Sequence, residues 1–190
     1  QSHLLDAEVR FTQAATPIAA RAFQEAERLL AVAETDIAKA KEIGRSAPTV
    51  YEMEARRRAK VIHLRLSSSS AKPGDLGWAK AACDEALRIR PRSWKAYGSR
   101  ASIYLFWAGQ VEGWKQDSLP FSEEGIKAAN QALALNPKSN EVLSTLAYLW
   151  WRQAQLLELA GQDPRPSLKR AVETLQIALQ HPEQAATLHQ

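Results

Sequence analysis

Three stretches of this 190-residue chain end alike: Ala86-Leu87-Arg88-Ile89-Arg90-Pro91, Ala132-Leu133-Ala134-Leu135-Asn136-Pro137 and Ala178-Leu179-Gln180-His181-Pro182. The second and third prolines follow their predecessors by 46 and 45 positions, and Pro48 lies 43 before Pro91. Self-similarity at such a period marks a chain built from stacked supersecondary units, and it constrains the fold more than any other feature here. A proline lacks the amide proton and pushes its predecessor out of helical geometry, so each one closes a helix. Ser93 and Ser139, two residues after a proline, are placed to cap the next helix through their hydroxyls.

The coarse reading is all-α, with about eight helices near 3–14, 17–43, 50–66, 76–90, 94–109, 122–136, 140–160 and 167–181. In the second, Phe23, Ala26, Leu30, Ala33, Ile37 and Ala40 alternate spacings of three and four, an apolar stripe of helical period. Thr16-Pro17 reads as its start and Gly44 as its end; whether it breaks near Thr35 is left open. Units then run 48–91, 92–137 and 138–182 in one continuous domain, with 1–47 as N-terminal helices or a degenerate first unit. Residues 183–190 form a tail or cap.

Small residues recur on the second helix of each unit: Ala79, Cys83 and Ala86; Gly125, Ala129 and Ala132; Ala171 and Ala178, with Leu175 between. Two helices must approach closely along such a seam. With Tyr97, Ala101 and Tyr104, and then Leu143, Leu146, Ala147 and Trp150, on the first helices, the pattern resembles the tetratricopeptide repeat. The resemblance covers about 140 residues from Pro48 onward. It implies a right-handed superhelical stack of antiparallel helix pairs, an α-solenoid. The period departs from the family's roughly 34 residues. The surplus falls between first and second helix of each unit, at Ser67 to Gly74, Gln110 to Pro120, and Gly161 to Pro166.

In that family the first helices line a groove that holds a protein or peptide partner. Carried over position by position, the groove is Lys95, Ser102, Leu105 and Phe106 in one unit. The next gives Glu141, Ser144, Tyr148, Trp151 and Arg152, and the unit before gives Glu52, Ala59, Ile62 and His63. If Trp150 packs inward, Trp151, about 100° round the helix, turns toward the groove or its rim. Gly98 and Ser102 stand where the family's clamp for acidic tails wants Lys and Asn, which argues against that specificity.

The phrases Leu133 to Ser139 and Ala160 to Pro166 also look like repeat regions that follow the catalytic domain in some bacterial serine/threonine protein kinases. That resemblance implies a sensory or regulatory part of a larger enzyme. In several of those a membrane span precedes the repeats, which would place this piece outside the cytoplasm. Beginning with Gln1, and with its only methionine at position 53, the chain reads as a piece of something longer.

A third reading is nucleic-acid binding. From Arg56 to Arg100 the charge balance is +9, against −5 for the remainder. Arg56, Arg57 and Lys60 are its densest part. Successive arginines fan around a helix, and no aromatics are interleaved for stacking.

Nothing points to chemistry within the segment. It has no glycine-rich phosphate loop, HExxH or GxSxG, and no kinase motif. His3, His63, His181 and His189 lack ligand spacing, so neither metal nor cofactor is expected. Ser69-Ser70-Ala71-Lys72 satisfies SxxK but sits in a serine-rich linker rather than at a helix start. Lone Cys83 on a seam reads as a small hydrophobe. No run is long enough for a membrane contact. An open stack leaves an end helix through which two copies can pair as a homodimer.

Overall fold

The computed structural model describes residues 2–19, 22–44, 47–109 and 118–180. Among them the fold is all-α. Its eight helices are α1 (Ser2–Ala19), α2 (Phe23–Ile43), α3 (Pro48–Ser67), α4 (Asp75–Ile89), α5 (Trp94–Ala108), α6 (Leu119–Leu135), α7 (Asn140–Leu159) and α8 (Arg165–Gln180).

Proline acts at both kinds of helix end. Pro91 and Pro137 stand just past α4 and α6. Pro48, Pro120 and Pro166 stand in the first turns of α3, α6 and α8, where a missing amide proton leaves no intrahelical bond unmade. This moves two starts: Leu119 and Pro120 open α6 rather than end the linker before it, and α8 begins at Arg165 rather than Ser167. The caps at α5 and α7 are made by serine. Ser93 Oγ accepts from the Ala96 amide at 3.1 Å, and Ser139 Oγ from that of Val142 at 3.4 Å.

At the N-terminal end, α1 continues through Pro17 to Ala19, and α2 starts at Phe23 behind Ala22, which supplies no side-chain cap. The start of α2 is set by where its packing stripe begins: Ala26, Leu30, Ala33 and Ile37 are buried. Thr35 does not interrupt it. Its hydroxyl donates to the Ala31 carbonyl at 3.3 Å, within an unbroken rod.

Successive helices pair as α1–α2, α3–α4, α5–α6 and α7–α8, and each of α2, α4 and α6 also packs on the odd-numbered helix that follows. The odd helices touch in sequence, α1–α3, α3–α5 and α5–α7; the even ones make no comparable contact among the described residues. The odd helices therefore form the closer layer. Three apolar clusters fill successive interfaces. The first joins α1, α2 and α3 through Ala7, Leu29, Ile37 and Val50, and the second joins α3, α4 and α5 through Ile62, Cys83 and Ile103. The third joins α5, α6 and α7 through Ala101, Ala129 and Leu149. Core continuity thus comes from stacking, as in quasi-one-dimensional arrays.

The segments 68–74 and 160–164 follow odd helices, as does 109–118, of which 110–117, with Trp114, lie outside the described residues. The same holds for the tail, 181–190. At the end of the array α8 packs on α7. Leu168, Val172, Leu175 and Leu179 are exposed along one line of it.

Candidate functional site

One face each of α3, α5 and α7 lines a common surface, the channel, which carries two clefts. On α3 that face is Thr49, Met53, Arg56, Lys60, His63 and Ser67, spaced by four and three in alternation. On α5 it is Lys95, Gly98, Ser102, Leu105 and Gly109, with Phe106 beside them; on α7 it includes Glu141, Tyr148 and Arg152. Gly98 has Val142 Cγ2 3.2 Å from where a Cβ would stand, so small residues on α5 form the channel floor where α7 comes closest.

The channel opens into a cleft at each end. The first, about 660 Å³, is lined by Glu52, Met53 and Arg56 of α3, Trp94, Lys95 and Gly98 of α5, Glu141 and Val142 of α7, and Leu4, Leu5 and Glu8 of α1. It is the more polar of the two, with Glu8, Glu52, Arg56, Lys95 and Glu141 set among apolar side chains, and several of these charges are paired. Arg56 is ion-paired with Glu8 and lies 3.8 Å from Glu141 of α7, spanning α5. Buried Glu52 accepts from Ser93 Oγ at 2.6 Å and from Arg90 at 3.2 Å. Ser93 therefore caps α5 and fastens it to α3 with the same hydroxyl.

The second cleft, about 510 Å³, is aromatic. His63 and Leu66 of α3, Leu105, Phe106 and Gly109 of α5, and Tyr148, Trp151 and Arg152 of α7 line it. The His63 and Phe106 rings stack with centroids 4.2 Å apart and 6° between planes. Burial, and then the neighbouring Lys60, hold the His63 imidazole below its ordinary pKa, so it enters the stack neutral. Arg152 donates to the Ala108 carbonyl at 3.2 Å and to Gln155 Oε1 at 3.1 Å. It places its positive charge at the C-terminal end of α5, where the helix dipole favours it. Tyr148 and Trp151 remain 58% and 48% exposed. Trp150, their neighbour, packs against the third cluster with the Arg170 guanidinium 4.6 Å from its ring centroid.

No protein-family model, curated protein or solved structure matches this chain. What the site can do is read from its residues. Lys95 and Glu141 border the polar cleft; Leu105, Phe106, Tyr148, Trp151 and Arg152 border the aromatic one. Ser102 and Ser144 line neither and are half-buried between. The α3 positions need correcting. Ala59 and Ile62 are buried in the second cluster, and Glu52, though at the polar cleft, is consumed by its two hydrogen bonds. The channel face of α3 lies one position round, at Met53, Arg56, Lys60 and His63. The contributions of α1 and Trp94 had no signal in the sequence, because they depend on where α1 crosses α3.

The cluster Arg56, Arg57 and Lys60 is not an open cationic surface. Arg57 is buried and holds Glu54 at 3.0 Å and Glu34 of α2 at 3.1 Å, so it faces α2 rather than the channel. Arg58 binds Glu54 at 2.7 Å and the Trp78 carbonyl at 2.6 Å, and Trp78 has the Arg57, Arg58 and Arg65 guanidinium groups within 6 Å of its ring. These arginines fasten α3 to α4.

Cys83 is fully buried, and burial pushes its thiol up to about 12, which leaves no thiolate for chemistry. Ser69 and Lys72 are exposed, with Ser69 in a turn at φ 57°, not at a helix start. Among the described residues no group of His, Cys, Asp and Glu could hold a metal ion, and no helix is long and apolar enough to cross a membrane.

Proposed function

We propose that this chain is a protein-interaction module that holds an extended segment of a partner protein in the channel between α3, α5 and α7. The observation that carries the reading is the pair Tyr148 and Trp151, both about half exposed, beside Phe106 in an open cleft. Aromatic anchors of this kind dominate interface energies, with truncations that cost about 2 kcal/mol or more. The order of helix pairs, the closing prolines and the closer layer of odd helices support a tetratricopeptide-like, right-handed superhelical framework, in which the corresponding groove serves recognition. The channel suits an extended strand. From Lys95 to Phe106 it follows eleven helical residues, roughly 16 Å, the length of about five residues of extended chain.

Nucleic-acid binding loses its main support. Arg56 and Arg57 already carry protein counter-charges, so they release few counterions on meeting phosphates.

The test is selection from a displayed library of random heptapeptides on the intact chain and on a Tyr148→Ala/Trp151→Ala variant whose helicity matches wild type by circular dichroism. The reading predicts that wild type enriches peptides with a shared aromatic or large aliphatic position and that the variant loses them. Equal enrichment by both would remove function from this channel.

A further inference from the structure

The cations that face the channel are unequal. Arg56 is engaged by Glu8 and Glu141, and Arg152 by the Ala108 carbonyl and Gln155. Lys60 lies one turn from Arg56 and one from His63 on the same face of α3. It is half-buried, and its ammonium has no hydrogen bond or ion pair with any described residue. The carboxylate that acts on it is that of Glu141, which Arg56 already faces at 3.8 Å. An ammonium withdrawn from water without a partner is held at a cost, and a ligand carboxylate arriving beside it recovers that cost.

The position fits a specific occupant. Lys60 precedes His63 by three residues, about 4.5 Å along α3, and His63 stacks on Phe106 to form the wall of the aromatic cleft. In an extended peptide, side chains two positions apart point the same way and stand roughly 7 Å from each other. We propose that Lys60 reads an acidic side chain of the bound segment, two positions from the aromatic or large aliphatic residue held by Phe106, Tyr148 and Trp151. The partner is thus a protein segment that alternates an acid and an apolar anchor, and its acid meets the Lys60 ammonium, beside which the Glu141 carboxylate is shared with Arg56. Lys60 gives selectivity, and the aromatic cleft gives affinity. This inference rests on the reading of the channel as a peptide site.

The probe is a library of acetylated heptapeptides with Trp fixed at the fourth position and the others random, selected on wild type, Lys60→Met and Lys60→Arg. Wild type is expected to enrich Asp and Glu at the second or sixth position. In individual labelled peptides, replacing that acid by its amide should raise Kd roughly tenfold, as for one charge-assisted hydrogen bond at a half-exposed site. Lys60→Met should erase the acid preference and keep the Trp anchor, its control for folding, while Lys60→Arg should keep both. Enrichment without acid preference in wild type, or preference that survives in Lys60→Met, would overturn the role of Lys60 and leave the channel reading standing. Enrichment of no peptide by wild type would overturn both.

Discussion

Gly125 of α6 has no room for a side chain. A Cβ there would stand 2.6 Å from Leu149 Cδ2 and 3.1 Å from Tyr104 Cβ, and Leu149 is fully buried with nowhere to move. Gly77 of α4 is the opposite case, with nothing within 4 Å of the same position. Alanine raises helix propensity by about 1 kcal/mol at either site, but overpacking of a filled seam costs about 1–3 kcal/mol. Gly125→Ala should therefore lower stability by about 1 kcal/mol, and Gly77→Ala should raise it by up to about 1 kcal/mol. Urea unfolding midpoints of the two variants check this, and shifts of the same sign would contradict it. Much at this scale was legible in the sequence. Seam residues Ala79, Cys83, Ala129 and Ala132 are buried, and Ser93 and Ser139 cap as their position after a proline implies. The second bond of Ser93, to Glu52, was not, because it joins groups 41 residues apart that only the packing of α5 on α3 brings together.

Helix α3 is the element whose face the sequence misleads on, and the reason is physical. It packs against α1, α2, α4 and α5 at once, so burial surrounds it and apolar periodicity marks no single side. Glu52, Glu54 and Arg57 are buried among its apolar residues, each satisfied by partners rather than by water. A surrounded helix with paired charges looks like a basic surface helix when only its own residues are read. The pairing carries a pH signature. Burial raises the pKa of Glu54, but hydrogen bonds and charge from Arg57 and Arg58 together outweigh it, and the carboxyl lies below its ordinary value near 4.5. Its contribution is present in full above that value and is lost as pH falls through the lowered one. Glu54→Gln should cost about 3 kcal/mol near neutral pH, since it leaves buried Arg57 short of a counter-charge. The gap to wild type should narrow as pH falls below 4.5. Thermal unfolding of both chains across that range reads it out, and a gap independent of pH would show that Glu54 acts through shape alone.

At the scale of the molecule, the prolines announced an array of helix pairs, and in it the odd members touch in sequence. That layer puts Arg56 of α3 opposite Glu141 of α7, with α1 at one end of the channel. No single unit holds these pairings, so no reading of one unit could supply them. The central claim is that this inner channel is the recognition surface. Six tryptophans report on it, one indole resonance each. Trp151 lies in the aromatic cleft and Trp94 in the polar one, while Trp107 is buried and Trp78 lies between arginines on the other side of α3. The most direct measurement is a titration of the nitrogen-15-labelled chain with a peptide enriched by wild type, followed at the indole N–H signals assigned by single replacements. The account predicts that the Trp151 signal moves most and Trp94 next, with Trp78 and Trp107 unmoved. Saturable shifts at Trp78 with Trp151 still would place the binding surface outside the channel and contradict it.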